Sequence, residues 1–69
     1  MDLEQLIDFS LTEIAENEVL CSKYPYVCEK ARMSSYRSRL IHACLDIIDD
    51  GVADIWEALG QLNQELSDD

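Results

Sequence analysis

The sequence predicts an all-α domain, and three features of the chain indicate this fold class. Apolar residues recur at about the 3.6-residue period of a helix through most of the chain. The 69 residues include only two Gly and one Pro, which is too few turn-forming residues for the frequent turns of an all-β protein. Hydrophobic residues make up 48% of the chain, too many for a disordered acidic tail. We expect one domain over residues 1–69, with two or three helices in an antiparallel hairpin or small bundle.

The first predicted helix runs from about residue 2 to residue 21. Asp2 is a favourable N-cap, and Gln5 stands at the capping-box position three residues later. Ser10 could begin a second helix, but the helical spacing of apolar residues continues unchanged on both sides of it. This favours one helix over two. The residues of its apolar face are Leu3, Leu6, Ile7, Leu11, Ile14 and Ala15.

Pro25 marks the clearest break in the helical pattern. A proline disfavours the helical conformation at the preceding residue, Tyr24, and suits the first turn of a new helix. We therefore expect a turn over residues 22–25 and a second helix over about 25–49. Arg37 lies among the apolar residues of this helix, and the sequence offers no reason for its place there.

Gly51 makes the third element ambiguous. The apolar phase continues past it, as one long helix would require. Yet glycine often follows a helix C-cap, and Asp49 and Asp50 suit the start of a helix better than its end. We expect a break or sharp kink at residue 51 and a third helix over about 52–66. A glycine inside a helix costs only about 1 kcal/mol, so an unbroken helix is the alternative.

The charges are separated into blocks along the chain. The net charge is −10, and residues 1–22 carry six acids and no base. All five Lys and Arg lie between residues 23 and 39, with one acid, and residues 40–69 carry eight acids and no base. We expect the bases Lys23, Lys30 and Arg37 to pair with acids of the first helix or of a second subunit. The candidate acids are Glu13, Glu16 and Glu18. The net charge argues against direct binding to nucleic acid.

The last third of the chain carries a row of carboxylates. On one continuous helix they would form a ladder with steps of about 6 Å, and no base lies in the segment to neutralise them. The row consists of Asp46, Asp50, Asp54 and Glu57, thickened by Asp49. It is either a solvated face or a phosphate-like surface that occupies a basic groove on a partner protein.

A second candidate surface is apolar. Four residues widen the apolar arc of the last helical segment to roughly 180–200°, more than the ~100° that packing on one neighbour requires. They are Leu45, Val52, Trp56 and Leu59. Tyr24 is the second aromatic anchor. The flank either closes a three-helix core or forms the interface of a homodimer or a partner complex. We expect a homodimer, because this apolar arc exceeds what one helical hairpin covers.

The chain lacks the motifs of catalysis and of cofactor binding. The only His, His42, is expected to point away from Cys44, so the two do not converge on a metal. We expect the three cysteines to be free thiols, with no metal, cofactor or obligatory disulfide. A helical domain this small rarely has a catalytic cleft, so we do not expect an enzyme. The chain has no membrane-spanning stretch and opens without a basic secretory region, which favours the cytoplasm.

Two functions follow as hypotheses. The first is a non-enzymatic regulator or inhibitor that presents an acidic helical face to a basic partner, which could be a nucleic-acid-handling protein. The binding residues would be the five carboxylates between Asp46 and Glu57. The second is a structural or assembly adaptor that binds through the apolar flank around Trp56.

Overall fold

A computed structural model describes residues 2–68 and confirms the all-α fold. Of these residues 84% are helical, and none of them forms a strand. There are five helices rather than two or three, because each of the first two predicted helices is divided by a break. They are α1 (Leu3–Glu16), α2 (Glu18–Lys23), α3 (Pro25–Ala31), α4 (Ser34–Asp49) and α5 (Ile55–Ser67).

Asn17 divides the first predicted helix. The start is confirmed, since Asp2 is the N-cap and its Oδ1 accepts a hydrogen bond from the Gln5 backbone N–H at 2.9 Å. The prediction of one helix to residue 21 is wrong. Asn17 takes an extended backbone, and its side-chain Oδ1 accepts from the N–H groups of Val19 and Leu20. Asn is a preferred N-cap residue, so α2 begins there although the apolar pattern is continuous.

The second predicted helix is divided at Arg32 and Met33. Pro25 begins α3, as predicted, but α3 ends at Ala31 and the extended Met33 precedes α4. The N-terminus of α3 is capped from α5, because Asn63 Oδ1 accepts from the N–H groups of Tyr26 and Val27 at 2.9 and 3.1 Å.

The predicted break at Gly51 is confirmed. Gly51 has a φ of +117°, which lies in the region that favours glycine. Its N–H donates to the Ile48 carbonyl at 3.0 Å, and the Val52 N–H donates to the Ile47 carbonyl at 3.4 Å. This pair of bonds is a Schellman C-cap, which satisfies carbonyls that the end of α4 would leave unpaired. α5 begins at Ile55 rather than at 52, and it folds back on α4.

The core lies around α3, which packs against α1, α4 and α5. Every helix except α2 contributes buried side chains. The buried apolar residues are Ile7, Leu11, Ile14, Val27, Cys28, Ala31, Leu40, Cys44, Ala58, Leu59 and Leu62.

Arg37 joins three parts of the chain, which explains its place on the inner face of α4. Its guanidinium forms an ion pair with Asp8 Oδ1 at 2.8 Å and donates to the Ala31 carbonyl at 3.2 Å. It also donates to the Asp8 carbonyl and to Thr12 Oγ1. The end of α3 and the start of α4 are thus held against α1.

Lys23 and Lys30 do not pair with the acids of the first helix, and their pairing with a second subunit stays a prediction. Within residues 2–68 no ion pair joins Lys23 or Lys30 to a carboxylate. Instead, the Lys30 ammonium lies 4.6 Å from the centre of the Tyr36 ring, and the Arg39 guanidinium lies 5.3 Å from it. The two cations therefore interact with an aromatic face of α4 rather than with the carboxylates Glu13, Glu16 and Glu18.

The expectation of three free thiols is wrong for two of them. Cys21 and Cys28 form a disulfide whose Cα atoms are 5.1 Å apart. The corner at Tyr24 and Pro25 turns the chain back, so residues seven positions apart come into bonding range. The disulfide joins α2 to α3. Cys44 is a free thiol in the core.

None of the helices in the described part of the chain is long and apolar enough to cross a membrane.

Candidate protein-binding face

The five predicted carboxylates lie where α4 ends and α5 begins. Gly51 interrupts the helix, so the predicted continuous ladder does not form. Asp46 and Asp49 lie in the last turn of α4, and Asp50 is its C-cap; all are exposed. Asp54 is the N-cap of α5 and Glu57 lies in its first turn, and both are also exposed. We call these five residues the acidic corner.

The acidic corner has two parts that differ in what they do for the fold. Asp54 Oδ1 accepts a hydrogen bond from the Trp56 N–H at 3.0 Å, and both Asp54 and Glu57 suit the positive end of the α5 dipole. Asp46, Asp49 and Asp50 lie at the negative end of the α4 dipole, where the last turn contains no base.

No cation compensates this charge, because no ion pair in residues 2–68 involves the acidic corner. Two carboxylates of the corner therefore stabilise the fold, and three oppose it.

The predicted apolar flank is covered by the chain itself. Leu59 is fully buried, so its side chain does not reach a partner. Leu45, Val52, Trp56 and Tyr24 are half-buried against the core. The Tyr24 and Trp56 rings lie 6.0 Å apart with an interplanar angle of 34°. The reason is the break at Gly51, which lets α5 fold back and cover the residues that a straight helix would have left exposed.

Exposed apolar surface occurs instead on α1. Phe9 is 62% exposed and Leu6 is 40% exposed. Together with the start of α5 they border an open groove with a volume of about 640 Å³. We call it the apolar groove; it is lined by Leu6, Phe9, Ser10, Glu13, Ala53, Asp54, Ile55 and Trp56. Asp54 belongs to both the groove and the acidic corner, so the two surfaces are continuous.

The prediction from sequence missed Phe9, although a signal was present. Phe9 follows the buried Ile7 by two residues, which places it roughly 160° away around the helix. A large aromatic side chain opposite the core face of a helix has no role in that core.

His42 and Cys44, the two residues weighed as a metal pair, lie in different environments. His42 is exposed with its Nε2 at 3.7 Å from Glu4 Oε1, whereas Cys44 is fully buried, so the two diverge as predicted. Burial raises the pKa of the Cys44 thiol to about 11, which disfavours the nucleophilic thiolate. Residues 2–68 contain no group of three or more His, Cys, Asp or Glu side chains that could hold a metal ion.

Comparison of the chain with models of protein families, with curated proteins and with solved structures gives no match. The function is therefore inferred from the residues of this chain alone.

Proposed function

We propose that the protein is a non-enzymatic regulator or inhibitor whose acidic corner binds a basic surface of another protein. The observation that carries the proposal is the position of Asp46, Asp49 and Asp50. These exposed carboxylates oppose the dipole at the C-terminus of α4, and no base within residues 2–68 forms an ion pair with them. Residues that lower the stability of the fold without an evident compensating contact are expected at functional sites.

The charge of the whole chain supports the same partner. A net charge of −10 on 69 residues attracts a basic surface over long range and raises the rate of association. Grooves that bind nucleic acid are basic and are built to replace the counterions of phosphates. Exposed carboxylates without cations of their own match such a groove, so a nucleic-acid-handling protein is the kind of partner we favour.

The test compares a triple variant, Asp46→Lys, Asp49→Lys and Asp50→Lys, with the parent in affinity capture. Asp54 and Glu57 stay unchanged because both stabilise the start of α5. Lysine is favourable at a helix C-terminus, so the triple variant should keep its fold, which circular dichroism and urea unfolding would check. A matched control carries the same change of charge at three other exposed acids: Glu16→Lys, Glu29→Lys and Glu65→Lys.

The proposal expects a basic protein that the parent and the control capture at low salt and the triple variant does not. Capture of the same proteins by all three would contradict it, because the acidic corner would then be only a solvated surface.

The adaptor is the second candidate, and the 62% exposure of Phe9 is the observation that favours it. Its anchor would be Phe9 rather than Trp56, because Trp56 packs against the core and its removal would disturb the fold. Salt separates the two functions. Binding through the acidic corner weakens steeply with rising salt, whereas binding through an apolar surface hardly responds.

The homodimer and the cytoplasmic location stay predictions. The homodimer was predicted because the apolar flank was expected to exceed what one hairpin can cover. The flank packs against the core, so a smaller exposed apolar surface than predicted is left to support a dimer. Sedimentation at micromolar concentration decides it.

The cytoplasm is a reducing compartment, in which the Cys21–Cys28 disulfide is not the default state. Thiol trapping in freshly lysed cells tests that location.

A further inference from the structure

We infer that the bound segment of the partner is a basic amphipathic helix. Its apolar side chains enter the apolar groove between α1 and the start of α5, and its Lys or Arg side chains lie on Glu13 and Asp54. This inference rests on the proposed function, because it names the kind of segment that binds beside the acidic corner.

The shape of the apolar groove fits a protein segment better than a small molecule. The groove is open to solvent, whereas small-molecule sites enclose most of the ligand surface. Along α1 it extends from Leu6 to Glu13, about 10 Å or two helical turns. This length matches the apolar side chains that two turns of a bound helix present.

Phe9 supplies the apolar contact. Its side chain is 62% exposed, and the half-buried Trp56 also lines the groove. Aromatic side chains that become buried on binding dominate the affinity of protein interfaces. An apolar side chain that enters the groove would shield exposed surface of these lining residues from water.

The charges of the groove select a basic occupant. Its ionisable lining residues are Glu13 and Asp54, and its lining includes no Lys, Arg or His. Ser10 is the remaining polar side chain, and its hydroxyl already donates to the Leu6 carbonyl at 3.0 Å. A second copy seated symmetrically on this groove would bring these carboxylates together, which is unfavourable.

A helix is the conformation that the surface favours. One common mode of binding an extended segment adds a strand to the edge of a sheet, and residues 2–68 contain no strand for it to join. A basic amphipathic helix carries an apolar stripe between flanks of Lys or Arg, which is the complement of an apolar groove with acidic residues on its walls.

The experiment uses Trp56, the single Trp of the chain, as a fluorescent reporter on the groove wall. The probe is a Leu/Lys peptide of about 18 residues, five helical turns, with its Leu on one face and no Trp. The control peptide has the same composition in an order without an apolar face. Phe9→Ala is compared with Val19→Ala, a truncation at an apolar residue that is 74% exposed and outside the groove.

We expect the amphipathic peptide to shift the Trp56 emission to the blue and to bind at least about tenfold more tightly than the control peptide. Phe9→Ala should lose about tenfold in affinity for it, and Val19→Ala should bind as the parent does. Three results would overturn the inference: equal binding of both peptides, an unchanged affinity of Phe9→Ala, or a blue shift with protein concentration alone. The last would place a second copy in the groove.

Failure here and failure of the proposed function are distinguishable. A triple variant that loses its captured partner, together with equal binding of both peptides, leaves an electrostatic regulator without the helix-binding groove. A triple variant that keeps its partner removes the proposed function, whatever the peptides do.

Discussion

Arg37 illustrates at the scale of one residue how a base can serve the fold in place of an apolar side chain. Its guanidinium holds Asp8, Thr12 and the Ala31 carbonyl together. Replacing Arg37 by Met keeps the aliphatic stem and removes these hydrogen bonds. We expect a loss of about 1–3 kcal/mol in the free energy of unfolding, measured with urea. Arg39→Met is the matched control and should cost under about 1 kcal/mol, since Arg39 is exposed and its guanidinium contacts the Tyr36 ring. Equal effects of both would contradict the role of Arg37.

Cys44 gives the molecule a pH dependence in the alkaline range. Burial raises the pKa of its thiol from 9.0 to about 11, so the folded state holds the proton at pH values where the unfolded state has lost it. The contribution of Cys44 to stability is therefore complete below pH 9 and is lost as the pH rises towards 11. Urea unfolding of the parent should show a steeper loss over this range than that of Cys44→Ala. Parallel curves would contradict this.

Residue roles were predictable from sequence only where the signal was local. Asp2 and Pro25 carry their meaning in their immediate neighbours, and both begin helices as predicted. Arg37 could not be explained, because Asp8 and Thr12 lie 29 and 25 residues away from it. Phe9 was predictable in principle from its position opposite the core face of α1.

At the scale of the helix, the capping residues decide where elements begin. Asp54 caps α5, and its truncation to Ala should lower the free energy of unfolding by about 1 kcal/mol. Asp50→Ala is the matched control four residues earlier. It removes a carboxylate from the negative end of the α4 dipole, so the free energy of unfolding should stay equal or rise by at most about 1 kcal/mol. Thermal unfolding of both variants checks this, and a larger loss for Asp50→Ala would show that this carboxylate stabilises the fold.

The disulfide between α2 and α3 is a second device at this scale. It closes a short loop, since its cysteines are seven residues apart, and loops of this size gain about 2–3 kcal/mol by restricting the unfolded chain. We expect a reductant to lower the midpoint of thermal unfolding by roughly 10–20 °C for a domain of this size. Cys21→Ala with Cys28→Ala should show the low midpoint in both conditions. An unchanged midpoint of the parent after complete reduction would contradict the prediction.

Helix boundaries were predictable where a residue at the break has a conformational or capping preference of its own. Gly51 combines a positive φ with a C-cap, and the break at this residue was predicted. Asn17 carries a cap signal that the continuous apolar phase concealed. The break at Met33 has no side-chain cap and no local signal. It is held by the contacts of Arg37 with α1 and with the end of α3, which are contacts of the tertiary structure.

At the scale of the whole molecule, the packing of α5 against α3 and α4 determines which of the predicted surfaces are exposed. The exposure of the five carboxylates was predictable, because the segment from residue 40 onwards contains no base to pair with them. Their arrangement was not, since a ladder requires a straight helix. The apolar flank was predicted either to close a helical core or to form an interface, and it lies against the core because α5 folds back. The groove arises where α1 meets residues 53–56, which periodicity within one helix does not reveal.

The central claim is that the acidic corner binds a basic partner, and the salt dependence of affinity tests it most directly. Binding of a captured partner to the parent and to the triple variant, Asp46→Lys, Asp49→Lys and Asp50→Lys, would be measured by calorimetry between about 0.05 and 0.3 M salt, where screening changes most. We predict that the parent loses affinity steeply over this range and that the triple variant does not bind at any salt concentration. A triple variant that binds as the parent does, with equal and shallow salt dependence, would contradict the claim.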